Sequence, residues 1–144
     1  MAITQAVCTS FKQELLVEGH NFTNGQDTFK IALYTNSSNL SASTATYADG
    51  TATNEYSGTG YTGGGNTLTS VTPVADGTTA VCDFADTSWT SATITAHGAL
   101  IYNSSESNKS VLVLNFGGDK TCTNGTFTIQ FPTADATNAI LRLA

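Results

Sequence analysis

Two stretches of the chain alternate between apolar and polar or small residues, and this alternation constrains the fold more than any other feature. They are TFKIALYT at residues 28–35 and TFTIQFP at residues 126–132. A period of two is the repeat of a β-strand with one buried face. Each stretch therefore predicts a half-buried strand. The buried sides would carry Phe29, Ile31 and Leu33 in the first stretch and Phe127, Ile129 and Phe131 in the second.

Six further short segments are rich in Val, Ile, Thr and aromatic residues, which favour strands. They are Leu68–Thr72, Thr79–Phe84, Thr93–Ala96, Ala99–Asn103, Val111–Phe116 and Ile140–Leu143. Turn-forming pairs occur at Asn24-Gly25, Asp49-Gly50, Asp76-Gly77, Gly117-Gly118 and Asn124-Gly125. The pattern predicts one mainly β domain over residues 1–144, an antiparallel β-sandwich or barrel of jelly-roll type.

One segment has a helical period instead. Apolar residues recur every fourth position near the start of the chain, at Ile3, Val7, Phe11 and Leu15. Polar residues separate them, and Gly19 offers a stop signal. The spacing predicts an N-terminal α-helix over residues 1–18. Because half-buried strands need cover on their apolar faces, we expect this helix to pack on the sheets of its own subunit.

Residues 36–62 are polar, rich in hydroxyl groups and only weakly periodic. We expect a long loop or arm there. A loop of this length is unusual in a compact domain, so it is either functional or ordered by a partner.

Charge restricts the partners. The formal net charge is −6 and only 11% of the residues are charged. Nucleic-acid binding needs clustered positive charge, and the four lysines and one arginine are scattered, so no nucleic-acid partner is expected. No apolar run approaches the roughly 18 residues of a membrane span. The start of the chain has no signal-peptide pattern, which predicts synthesis in the cytosol without a membrane partner.

The stretch GTGYTGGGN contains the pattern G-x-G-x-x-G in Gly58, Gly60 and Gly63. In a dinucleotide site this pattern follows a strand and opens a helix, and neither neighbour here fits. We interpret the glycines, together with Gly64 and Gly65, as a bend with positive φ angles that leads into the next strand.

No local pattern predicts a catalytic, cofactor or metal site. Cys8, Cys82 and Cys122 lack the spacing of a zinc or disulfide framework and are expected to be free buried thiols. His20 and His97 have no spaced partners, and Asp83 is expected in a solvated turn or edge. Aromatic and apolar residues that suit an interface are the remaining candidates. These are Tyr47, Tyr56, Tyr61, Leu141 and Leu143.

Several phrases resemble small virion structural proteins of tailed bacteriophages, in order along nearly the whole chain. They are FKQELL, DTFKIALYTNSSNL, SGTGYTGGGNTL, DFADTSWTSATITAHGALIYN, VLVLNFGGDKT and TNAILRLA. The resemblance implies a non-enzymatic capsid cement or decoration protein that assembles in the host cytoplasm and resides in the virion. Its implied partners are the phage major capsid protein and further copies of itself, as a homotrimer or homodimer.

Two alternatives remain open at this point. The first is a tail-fibre or baseplate β-sandwich module that contacts host surface glycans through its tyrosines and polar loops. The second is an enzyme, such as a hydrolase that uses His97 with Asp83. The acidic composition suits the outer surface of a DNA-filled capsid better than its interior.

Overall fold

Eight strands form two antiparallel sheets, and one short helix lies near the start of the chain. The structure, a computed structural model, describes residues 2–144. The elements are β1 (Ala6–Val7), α1 (Thr9–Leu15), β2 (Phe29–Tyr34), β3 (Asn66–Thr67), β4 (Ser70–Asp76), β5 (Thr79–Phe84), β6 (Thr87–Asn103), β7 (Lys109–Ile129) and β8 (Leu141–Leu143). The mainly β fold predicted from the sequence, with antiparallel sheets and a single helix, is confirmed.

The larger sheet has the order β1-β7-β6-β2-β3 and is built around a long hairpin of β6 and β7. The two strands pair from Asn103 and Lys109 to Thr87 and Ile129. The four short strands predicted within residues 93–132 are thus parts of these two long ones.

The Gly117-Gly118 and Asn124-Gly125 pairs do not end β7, and the prediction of chain-reversing turns there was wrong. Gly117 and Asn124 do adopt positive φ angles, of 78° and 48°. Because β6 continues opposite them, these residues are accommodated near shifts in the β6–β7 register rather than in turns. Ser91 of β6, with φ of 48°, lies at a third shift.

The smaller sheet has the order β4-β5-β8. The Asp76-Gly77 turn joins β4 to β5 as predicted, and β5 has the predicted bounds. Strand β4 runs from Ser70 to Asp76 rather than from Leu68 to Thr72. After Ser70 all of its residues are exposed, so β4 is an exposed edge strand, whereas Val81, Asp83 and Phe84 of β5 are buried.

The predicted helix over residues 1–18 is wrong in its extent, because α1 contains only Thr9–Leu15. Ala6 and Val7 instead pair with Val113 and Leu112 of β7. The backbone of this segment forms the edge strand of the larger sheet. Its hydrogen bonds to β7 take the place of the hydrogen bonds of a helix. Tertiary pairing has overridden a local helical pattern.

Aromatic rings join the helix to both sheets. The fully buried Phe11 of α1 contacts Phe22 with ring centroids 5.8 Å apart. Phe22 stacks on Phe29 of β2 at 4.3 Å, and Phe29 contacts Phe84 of β5 at 5.8 Å. The expectation that the helix packs within its own subunit is therefore confirmed.

Residues 36–62 form a long loop without a named strand or helix, as predicted, although they do not extend as a free arm. Leu40, Ser38 and Thr44 of the loop are buried. The ring of Tyr47 stacks on Tyr102 of β6 with centroids 4.6 Å apart. The loop is thus ordered by contacts within the chain itself.

We expect Phe11→Ala to lower the free energy of unfolding by about 3–5 kcal/mol, because it leaves a cavity where helix and sheets meet. Chemical denaturation followed by circular dichroism measures the change. The matched control is Val74→Ala on the exposed strand β4, whose side chain is 55% exposed and whose truncation should change stability by less than about 1 kcal/mol. Equal effects of the two substitutions would contradict the assigned position of the helix.

Candidate functional site

The carboxylate of Glu55 organises a cluster of tyrosines between the long loop and the larger sheet. It accepts hydrogen bonds from the hydroxyl of Tyr47 at 2.5 Å, the hydroxyl of Tyr61 at 2.6 Å and the backbone N–H of Gly64 at 2.7 Å. The Tyr61 hydroxyl also accepts the N–H of Leu33 in β2. The hydroxyl of Tyr102 donates to the carbonyl of Gly64 at 2.7 Å. These bonds tie the loop to β2 and β6.

The glycine stretch bends around this carboxylate. Gly60, Gly64 and Gly65 adopt positive φ angles, which confirms the predicted bend, whereas Gly58 and Gly63 do not. Backbone N–H groups of a glycine-rich loop are suited to bind an anion, and here the anion bound by Gly64 is a side chain of the same protein. The stretch leads into β3, which pairs with β2.

Gly65 lies so close to β2 that a side chain would not fit. A Cβ atom there would come within 1.8 Å of the Ile31 carbonyl oxygen, and φ is +75°. Nothing lies within 4 Å of the corresponding position at Gly63. We expect Gly65→Ala to lower the free energy of unfolding by about 2 kcal/mol or more. Gly63→Ala, the matched control, should change it by less than about 0.5 kcal/mol. Thermal melts of the two variants test the contrast, which would be absent if the bend were free to move.

Burial keeps the tyrosines of this cluster neutral. It raises the pKa of Tyr102 to about 12, with the Glu55 charge as a second cause. Burial is also the largest cause that raises the pKa of Tyr34 and Tyr61, to which Glu55 adds. The buried Tyr34 hydroxyl has no hydrogen-bond partner among residues 2–144. The cluster is therefore suited to hold a loop in place and not to provide an ionised nucleophile.

The raised pKa values predict loss of stability in alkali. Tyrosines of the unfolded chain ionise near pH 10, whereas Tyr34, Tyr61 and Tyr102 keep their protons to higher pH when folded. Above pH 10 the unfolded state therefore binds fewer protons, and the free energy of unfolding should fall as pH rises. Below pH 10 these three groups contribute no pH dependence. Tyrosinate absorbance and circular dichroism, followed together against pH, should show these tyrosines ionising only as the protein unfolds. Their ionisation in a native protein near pH 10 would contradict the cluster geometry.

The five candidate interface residues do not form one surface in the single chain. Tyr61 and Leu141 are buried in the core. Tyr47 and Tyr56 are half-buried, and the Tyr56 hydroxyl donates to the Thr93 carbonyl. Only Leu143 is freely accessible, with 60% of its surface exposed. The interface remains a prediction, and among these five residues Leu143 offers the most surface for it.

The two histidines occupy different environments. The ring of His20 has a side-chain exposure of 0% and lies 3.3 Å from Glu14, while its Nδ1 lies 3.1 Å from the amide nitrogen of Asn103. His97 is partly exposed, and its Nδ1 lies 2.8 Å from a carboxylate oxygen of Asp119. The carboxylate beside His97 is therefore Asp119 and not Asp83, the partner considered in the hydrolase alternative.

Asp83 is buried, so the expectation of a solvated carboxylate was wrong. One oxygen accepts the N–H of Phe84 at 2.9 Å, and the other has no hydrogen-bond partner among residues 2–144. Burial raises the pKa of this carboxyl above its usual range, although nearby N–H groups of Phe84 and Ile140 lower it. Strand alternation alone did not predict this burial, because it does not show what covers each face of β5.

The expectation of three buried free thiols holds in part. All three cysteines are free, but only Cys8 is fully buried. Cys82 and Cys122 are partly exposed. Burial raises the pKa of Cys8 and of Cys82 to about 12, so neither is poised as a thiolate.

Sequence analysis missed most of the exposed apolar surface. The exposed large apolar side chains are Leu16 and Val17 after the helix, Val71 and Val74 on β4, and Leu143 on β8. Leu16 and Val17 do not belong to the apolar stripe of every fourth residue that ends at Leu15. Their position outside this stripe was a sequence signal for their exposure. For β4 no such signal existed, because its exposure depends on its place at the edge of the smaller sheet.

A groove of about 480 Å³ runs beside the second half of β7. Its apolar lining comes from Leu114, Phe116, Phe127, Ile129, Phe131 and Ile140. Lys120 is the only charged residue that lines it. The adjoining edge of β7 is open, because β1 pairs with β7 only at Leu112 and Val113 and no other described strand pairs with that edge.

Within residues 2–144 no group of three or more His, Cys, Asp or Glu residues is arranged to hold a metal ion. The helical part of the described chain has neither the length nor the apolar character needed to cross a membrane. No family model matches the chain, and no curated protein or solved structure is significantly similar to it.

Proposed function

We propose that the protein is a non-enzymatic virion structural protein of a tailed bacteriophage, of the capsid cement or decoration type. In this role it binds the outside of the major capsid shell and stabilises it, and it acts as a small homo-oligomer. The phrases quoted from the sequence suggest this role. The observation that carries it is the exposed edge strand β4, with its two uncovered valines Val71 and Val74.

Strand β4 is exposed from Val71 to Asp76, on both of its faces. Val71 pairs with Asp83 and Val74 pairs with Val81, so a register shift brings both valines to one face. Val74 remains 55% exposed there. The subunit leaves the valines of this edge strand uncovered, so a protein partner that covers them would gain hydrophobic free energy.

Charge supports the same role. The net charge of −6 disfavours the genome-facing side of a shell, where DNA phosphates would repel it. A cement protein holds neighbouring shell subunits together through area and shape complementarity. Exposed apolar residues among hydroxyl-bearing ones suit that task.

The glycan-binding alternative has less support. Its proposed platform was the set of tyrosines, but the hydroxyls of Tyr47, Tyr56 and Tyr61 are all hydrogen-bonded within the chain. The side chains of Tyr47 and Tyr56 are half-buried, and that of Tyr61 is buried. A sugar could stack on them only if the Glu55 cluster opened.

Co-sedimentation with expanded empty capsids of the parent phage tests the proposal. We expect the wild-type protein to sediment with the capsids and Val74→Ser to bind at least about tenfold more weakly, because an apolar contact is lost. Thr126→Ala on β7, which changes an exposed polar residue, is the matched control and should bind like the wild type. No binding by the wild-type protein would refute the capsid role. Binding on a glycan array would favour the tail-module alternative.

A further inference from the structure

The groove beside β7 is apolar and has no occupant in its own chain. Phe116, Phe127 and Ile129 contribute to its wall, next to the open edge of β7. The ammonium group of Lys120 at this groove forms no ion pair or hydrogen bond with another residue among 2–144. The groove therefore presents an apolar surface together with one unpaired positive charge.

The segment after α1 presents the complementary features. Leu16 and Val17 are 87% and 65% exposed, and Leu16 is the most exposed large apolar side chain described. The next residue, Glu18, is exposed, and its carboxylate also has no partner among residues 2–144. The segment Leu16–Val17–Glu18 is thus an apolar protrusion with one unpaired negative charge.

The backbone of Glu18 adds an independent observation. Its φ angle is 58°, in the left-handed region where glycine is usual at the end of a helix. A residue with a side chain is held there at a conformational cost. Gly19, the next residue, does not adopt a positive φ angle, so the side-chain-bearing Glu18 occupies the left-handed position of this turn. A role for the carboxylate outside the subunit would account for keeping that side chain.

We propose that the Leu16–Val17–Glu18 protrusion of one copy docks in the β7 groove of a second copy. Leu16 and Val17 then contact the apolar wall of the groove, and Glu18 pairs with Lys120 of the second copy. The contact joins two different surfaces of identical chains, so it closes as a mutual pair or a small ring or continues as an open filament. We infer the closed form, which gives a particle of one defined size. This inference deepens the self-association included in the proposed function and does not require the capsid role.

A second copy is favoured as the occupant because the chain carries both halves of the contact. The unpaired charges are opposite in sign, and each lies beside apolar surface that its own subunit leaves uncovered. A foreign partner would need to supply the same combination. The ion pair sets the orientation, and the apolar contact supplies most of the affinity.

Light scattering and sedimentation equilibrium of the purified full chain provide the test. We expect a discrete species larger than the monomer, and Leu16→Ser should weaken self-association by about tenfold or more. Val74→Ser, also at an exposed apolar position, is the matched control and should self-associate like the wild type. Thermal melts of the dilute proteins check that every variant is folded.

A charge exchange provides the sharper test. Glu18→Lys and Lys120→Glu should each weaken self-association several-fold, and the double variant should recover it, because the pair is restored with its signs reversed. A monomeric wild type, an unaffected Leu16→Ser variant, or failure of the double variant to recover would each overturn the inference. All of these measurements use the protein alone, so their failure is distinguishable from failure to bind capsids.

Discussion

The pairing of β6 with β7 is the constraint on which the rest of the structure depends. The half of this hairpin near Asn103 and Lys109 is flanked by β2 on one side and β1 on the other, and its residues form the centre of the core. The other half, toward Thr87 and Ile129, has an open edge along β7. The register shifts within the pair allow one continuous hairpin to serve both environments, because they change which residues face inward along its length.

The Glu55 cluster stabilises a loop of almost thirty residues that has no regular secondary structure. Loop closure costs conformational entropy, and short strands alone would not repay it. A single carboxylate that accepts three hydrogen bonds fixes the loop at Tyr47, Tyr61 and Gly64. Hydrogen bonds to a charged acceptor are stronger than those between neutral groups. Backbone hydrogen bonds tie the loop to the rest of the chain at further points, among them Leu40 to Thr4 and Ala45 to Ser110.

The fold class could be predicted from the sequence because strand-favouring residues mark most of the strands and the alternation at the end of β7 reports one-sided burial directly. In β2 the alternation predicted the strand correctly, but the prediction of a half-buried strand was wrong, because Ala32 and Tyr34 on its second face are buried as well. The N-terminal helix was predicted too long, since Ile3 and Val7 also fit a four-residue period although they serve a strand edge and the core. The interior of β7 was divided at its glycines because a local pattern does not distinguish a bulge from a turn. The burial of Asp83 and the hydrogen bonds of Glu55 depend on residues distant in sequence, so no local sequence pattern predicts them. Of the candidate interface, only the exposure of Leu143 followed from the sequence.

The first strand has a consequence for how the protein is made. Ala6 of β1 pairs with Val113 of β7, more than a hundred residues later, and β8 pairs with β5 only once Leu141–Leu143 have been synthesised. Contacts between such distant residues form slowly. During translation β1 therefore has no strand partner until Leu112 and Val113 of β7 have left the ribosome, and the outer edge of β5 stays uncovered until Leu141–Leu143 follow. Completion of both sheets is a late event, and a nascent chain stopped before β8 would contain every strand of the larger sheet but lack one edge strand of the smaller sheet.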